Sequence, residues 1–106
     1  MGLLGDAGKT FIKYSEKIVE KTEEYTRIAK LTLDIKKCDE SITQAQADMG
    51  RYVMQKIDEG ATELSLSDDY IKTTAGRINE LKESISRKRQ EIRDIREAAA
   101  AKKVNQ

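Results

Sequence analysis

The 106-residue chain has no proline, no histidine, no tryptophan and a single phenylalanine. Without proline, nothing interrupts a very long helix. Without histidine there is no imidazole base, no His-based triad and no ordinary zinc site. Cys38 is the only cysteine, so an intrachain disulfide and a cysteine-cluster metal site are both excluded. One thiol without a framework fits a reducing, cytoplasmic setting. Aromatic residues make up 5%, too little for a thick globular core. No run approaches the roughly 20 apolar residues of a membrane span, and Asp6 and Lys9 break up any signal-peptide core. A charge bias is missing too: the net charge of +1 argues against a dedicated polyanion binder.

What the chain does have is charge, 37% of its residues, laid out with a period. High charge also marks disorder, but disorder sustains no period. The length allows one domain. The pattern predicts a first helix from about Asp6, which could cap it, to about Glu59. Gly60 suits a left-handed C-terminal cap. A turn over residues 60–66 follows, then a second helix over about 67–101 and a frayed tail, 102–106. Ser67 reads as the second helix's N-cap, with Asp68 and Asp69 in its first turn. Leu66 and Ile71 stand at the two positions of a hydrophobic staple.

Both helices carry apolar residues alternating by three and four, the mark of a coiled-coil seam. The first seam is Ile28, Leu31, Ile35, Cys38, Ile42, Ala45, Met49, Tyr52. The second is Ile71, Thr74, Ile78, Leu81, Ile85, Lys88, Ile92, Ile95, Ala99. The expected fold is therefore all-α, an antiparallel two-helix hairpin. Folding at about residue 65 pairs Tyr52 with Ile78, Met49 with Leu81, Ala45 with Ile85 and Cys38 with Ile92. Large then faces small in Ala45–Ile85 and Leu31–Ala99, and on the flanks Val53 falls near Ala75 and Asp39 near Arg89. Lys88 breaks the second seam opposite Ile42 and close to Asp39. One reading is a snorkelling lysine whose ammonium reaches water or Asp39. The other is a device that fixes register at some cost in stability.

In this register the first helix outruns the second: ~80 Å against ~50 Å at 1.5 Å per residue. Everything before about Arg27 then lacks a partner in the chain. That overhang is amphipathic, with Leu3, Leu4, Ala7, Phe11, Tyr14, Ile18, Thr22 and Tyr25 in one stripe. Exposing it on a monomer would be unusual. Leu4, Phe11, Tyr14, Ile18 and Tyr25 are the candidate interface, with three possible occupants. A second copy would give a homo-oligomer completing a bundle. A different protein could take the helix in a groove. A membrane surface could bury Leu3, Leu4 and Phe11, although Glu16, Glu20, Glu23 and Glu24 oppose an anionic one.

Other motifs point nowhere. GLLGDAGKT has Leu3 where a P-loop needs its first glycine, and no strand pattern precedes it. Asp6 stands where a myristoylation signal needs Ser or Thr. Lys82, Arg87, Lys88, Arg89, Arg93 and Arg96 make the second helix basic, but Glu83, Glu91, Asp94 and Glu97 are interleaved with them. That fits a solvated flank better than a nucleic-acid face. The carboxylates have no glycine-rich loop beside them and no pocket to shift them. No catalytic site, cofactor or metal is expected. Tyr14, Tyr25, Tyr52 and Tyr70 are expected to pack their rings and keep their hydroxyls in water.

Residues 8–31 read GKTFIKYSEKIVEKTEEYTRIAKL. With the seam that follows, this segment resembles small uncharacterised bacterial cytoplasmic proteins. They open on a similar Gly-Lys, lysine-rich amphipathic helix ending in an Ile-Ala-Lys-Leu-like stretch. The resemblance implies a cytoplasmic helical hairpin. Many such proteins add a C-terminal zinc ribbon, and the paired cysteines for one are absent here. Small type VII-secreted hairpins carry Trp-x-Gly in the turn, where this chain has Glu59-Gly60-Ala61. Prefoldin-like subunits need strands between their helices, for which residues 60–66 are too few.

Overall fold

The computed structural model consists of two long helices packed side by side. Helix α1 spans Gly2–Asp58 and helix α2 spans Asp69–Val104. The structure describes the backbone of residues 2–104 and the side chains of residues 22–102. The rod they form measures 89 × 22 × 15 Å.

Each helix end has a local cause. At the end of α1, Gly60 adopts φ 95°, the left-handed region that glycine enters without strain. The Gly60 N–H donates to the Ile57 carbonyl (2.9 Å) and the Ala61 N–H to the Lys56 carbonyl (2.9 Å). These two bonds make a Schellman motif and satisfy the last carbonyls of α1. At the start of α2 the cap is Asp68 rather than Ser67. Asp68 Oδ1 accepts from the N–H groups of Tyr70 (3.0 Å) and Ile71 (3.2 Å). Its carbonyl accepts from Lys72 N–H, which defines the N-cap position. A carboxylate there also complements the positive end of the helix dipole. Ser67 instead donates its N–H to Ser65 Oγ (3.1 Å) within the connection. The one-residue shift of the cap removes the staple, whose positions move to Ser67 and Lys72. Leu66 is accordingly 86% exposed.

The outer boundaries differ from expectation as well. Asp6 lies inside α1, which starts at Gly2. Helix α2 continues three residues past Ala101, to Val104. Ala98–Ala101 have the highest helix propensity, and Lys102 and Lys103 favour the negative C-terminal end.

The core is a single line of contact. Ile42, Ala45, Ile78, Ile85, Ile92 and Ile95 are buried. The remaining seam residues (Ile28, Leu31, Ile35, Cys38, Met49 and Tyr52 on α1, Ile71, Thr74, Leu81, Lys88 and Ala99 on α2) are half-buried. Ile35, Cys38 and Leu81 pack against the cluster of Ile42, Ala45, Ile78 and Ile85.

The register is one heptad away from the expected one. Cys38 lies beside Ser84, at 4.0 Å between Sγ and Oγ, and not beside Ile92. The Tyr52 ring meets Tyr70, with 4.4 Å between centroids, and not Ile78. Ile28 shares a groove with Ile95. The hairpin thus folds about residue 61 rather than 65. Both seams repeat every seven residues, so a heptad slide keeps apolar facing apolar. The Tyr52–Asp68 hydrogen bond and the Tyr52–Tyr70 ring contact belong to the observed alignment.

Candidate interaction site

At the end far from the turn, the helices part around a groove of about 310 Å³. Glu24, Tyr25 and Ile28 line it from α1, and Ile95, Arg96, Ala99 and Ala100 from α2. Alanine side chains are too short to fill the space between two helices. Tyr25 stands 69% exposed beside it. Next to the groove, Arg27 pairs with Glu91 at 3.8 Å. The heptad shift and the longer α2 explain why Glu24, Tyr25 and Arg27 have neighbours on α2. The expectation that everything before about Arg27 stands clear of α2 is corrected to that extent. Leu4, Phe11, Tyr14 and Ile18, the rest of the candidate interface, lie outside the described side chains.

The polar break in the seam is also rearranged. Lys88 Nζ donates to Ser84 Oγ at 2.8 Å, one turn back on its own helix, and not to Asp39. In the observed register Lys88 stands level with Ile35 instead of Ile42. Asp39 is exposed and faces a second groove, of about 440 Å³. This groove is lined by Ile42 and Ile85 at its base and by Lys82, Ser86, Arg89 and Arg93 along α2. Asp39 and Arg89 therefore share a flank.

A third cluster, at the turn, was not read from the sequence. Tyr52 Oη donates to Asp68 Oδ2 at 2.8 Å, so this hydroxyl is engaged rather than simply wet. The Tyr52 and Tyr70 rings stack at an interplanar angle of 30°. Lys56 Nζ sits 5.4 Å from the Tyr52 ring centroid, within cation–π range. The Tyr52 hydroxyl, then the Ile71 N–H, hold the Asp68 carboxyl below its ordinary value of 3.8. The same bond to Asp68 raises the Tyr52 phenol above 10.0. The available signal was a tyrosine on the last seam layer beside an aspartate that could cap α2. Finding the bond required knowing the register.

Among the described residues no group of three or more Cys, Asp or Glu side chains could hold a metal ion. Among the same residues no helix is long and apolar enough to cross a membrane. No protein-family model, curated protein or solved structure matches the chain.

Proposed function

We propose that the protein is a non-enzymatic coiled-coil interaction element of the bacterial cytoplasm that associates with a second copy of itself through the N-terminal part of α1. The thinness of the core carries this reading. No described side chain is fully enclosed; the least exposed, Ile85, keeps 6% of its surface in water. Two helices alone cannot surround a seam, and helix pairs usually become stable by adding further helices. The exposed Tyr25 beside the apolar groove supports the same end of the molecule. So does the spacing of Leu4, Phe11, Tyr14 and Ile18, which continues the amphipathic stripe away from that groove.

Sedimentation equilibrium over a micromolar concentration range tests the proposal. The parent should be a dimer or larger, and Phe11→Glu should shift it toward monomer. A well-folded parent monomer at high micromolar concentration contradicts the proposal. Flotation with liposomes that Phe11→Glu abolishes would move the site's role to a membrane surface. A tight stoichiometric protein partner would make the protein an adaptor.

A further inference from the structure

We infer that a second copy of this chain docks, antiparallel and across Gly50, on the outer face of α1 near the turn. This face is separate from the N-terminal one. Its first sign is Gly50 itself. It lies in mid-helix, is exposed, and a Cβ added to it would meet nothing within 4 Å. Alanine would make a better helix there, so nothing inside the hairpin accounts for glycine. Close approach of another backbone does.

The surroundings of Gly50 name the occupant. Its neighbours one turn away on either side are Gln46, Ala47, Val53 and Met54, none of them charged, in a chain that is 37% charged. Met54 is 57% exposed, and Ile57, one turn on, is 54% exposed. The nearest charges, Asp48 and Arg51, neutralise each other on the adjoining flank at 2.9 Å. Gly76 of α2 is equally open, but Lys72 and Glu80 stand one turn either side of it. The uncharged surround is special to Gly50.

This face is complementary to itself. Turn a copy antiparallel with Gly50 on Gly50, and equal spacings set Val53 against Ala47, Met54 against Gln46 and Ile57 against Thr43. Each large residue meets a smaller or more slender one, no like charges are opposed at these positions, and glycine sits where the helices come closest. A two-fold interface must have this property, since one patch serves both sides. An acidic or basic partner would gain nothing from an uncharged surface, and a flat membrane would not require a glycine. The contact spans ~20 Å of helix, at the small end for a specific interface, so micromolar association is expected.

The test uses the full chain carrying Phe11→Glu, so that the N-terminal contact is read separately. Gly50→Ala should raise the hairpin's melting temperature yet weaken self-association severalfold in sedimentation equilibrium. Gly50→Glu should weaken it at least tenfold. In a Cys38→Ser background, Gly50→Cys should oxidise to a covalent dimer much faster than Glu83→Cys, on the exposed face of α2. Unchanged association in both Gly50 variants overturns the inference, as does equal cross-linking at positions 50 and 83. If Phe11→Glu alone leaves association intact while the Gly50 variants lose it, the N-terminal proposal fails and this one stands.

Discussion

At the turn, Tyr52, Lys56, Asp68 and Tyr70 come together with a 2.8 Å hydrogen bond and rings 4.4 Å apart. At the opposite end, α1 and α2 meet through a 3.8 Å ion pair and a groove lined by alanines. The seam between them is continuous, with Ile78 near one end and Ile95 near the other equally buried. What separates the ends is directional chemistry. Burial is present at both, but groups that specify a partner atom by atom cluster where the chain reverses. This is the place to fix a register, because a hairpin's alignment is set by its turn. The far end needs no such device once alignment is fixed, and its loose packing leaves apolar surface available.

The comparison can be broken most forcefully in the middle. Ile85→Asp, at a 6% exposed position, buries an uncompensated charge and should cost at least about 3 kcal/mol. Helical circular dichroism should show a lost or far lower melting transition, and an unchanged curve would contradict the core described here.

The next effect sharpens the contrast between ends. Ile78→Ala and Ile95→Ala remove the same atoms from sites 8% and 7% exposed. Ile78→Ala should cost ~2–4 kcal/mol. Ile95→Ala should fall at or below the low end of that range, because the far end can open locally without global unfolding. Hydrogen exchange should then quicken around residues 24–31 and leave 45–55 protected. Equal costs and uniform exchange would erase the distinction.

A smaller effect isolates the turn. The Asp68 carboxyl is lowered, so its ionised form stabilises the fold above the ordinary value of 3.8. That contribution fades as pH falls through the lowered value. Asp68→Asn keeps a capping side chain and removes the charge. The parent should therefore melt higher than the variant at neutral pH, and the gap should close below about pH 4. Tyr52, raised above 10.0, has the opposite sign. Its bond is intact below that value and is lost in strong alkali. A gap that stays constant with pH would show that ionised Asp68 adds nothing.

The smallest change is Arg27→Ala. Its side chain is 62% exposed and that of Glu91 52%, so the pair should contribute ~0.2–0.5 kcal/mol in a double-mutant cycle. It should vanish in high salt.

The helices, their number and the residues facing inward were legible in the sequence, because three-and-four spacing reports a face directly. The alignment of the helices was not legible, because that same spacing is blind to a slide of seven. Contacts at the turn resolve it, and the N-cap there was ambiguous on paper. Ser67 and Asp68 are each competent caps, and the choice rests on which can reach two N–H groups at once. Leu66 looked like a staple only while Ser67 was the cap. Lys88 is legible as a break in the seam, and its partner Ser84, one turn back on the same helix, does not depend on the alignment; only the residue facing Lys88 across the seam does. Gly50 gave no signal in the sequence until the structure showed empty space around it.

The Tyr52–Asp68 bond has a further consequence. Sliding α2 by one heptad along α1 moves it ~10 Å and still sets apolar residues mostly against apolar ones, with Lys88 facing Ile42 in place of Ile35. Apolar burial therefore weighs two arrangements of this molecule almost evenly. The bond exists in only one of them, since Asp68 also caps the helix that would have to move. A single hydroxyl–carboxylate contact thus acts as the pawl in a ratchet whose teeth are all alike, and its value lies in discrimination rather than strength.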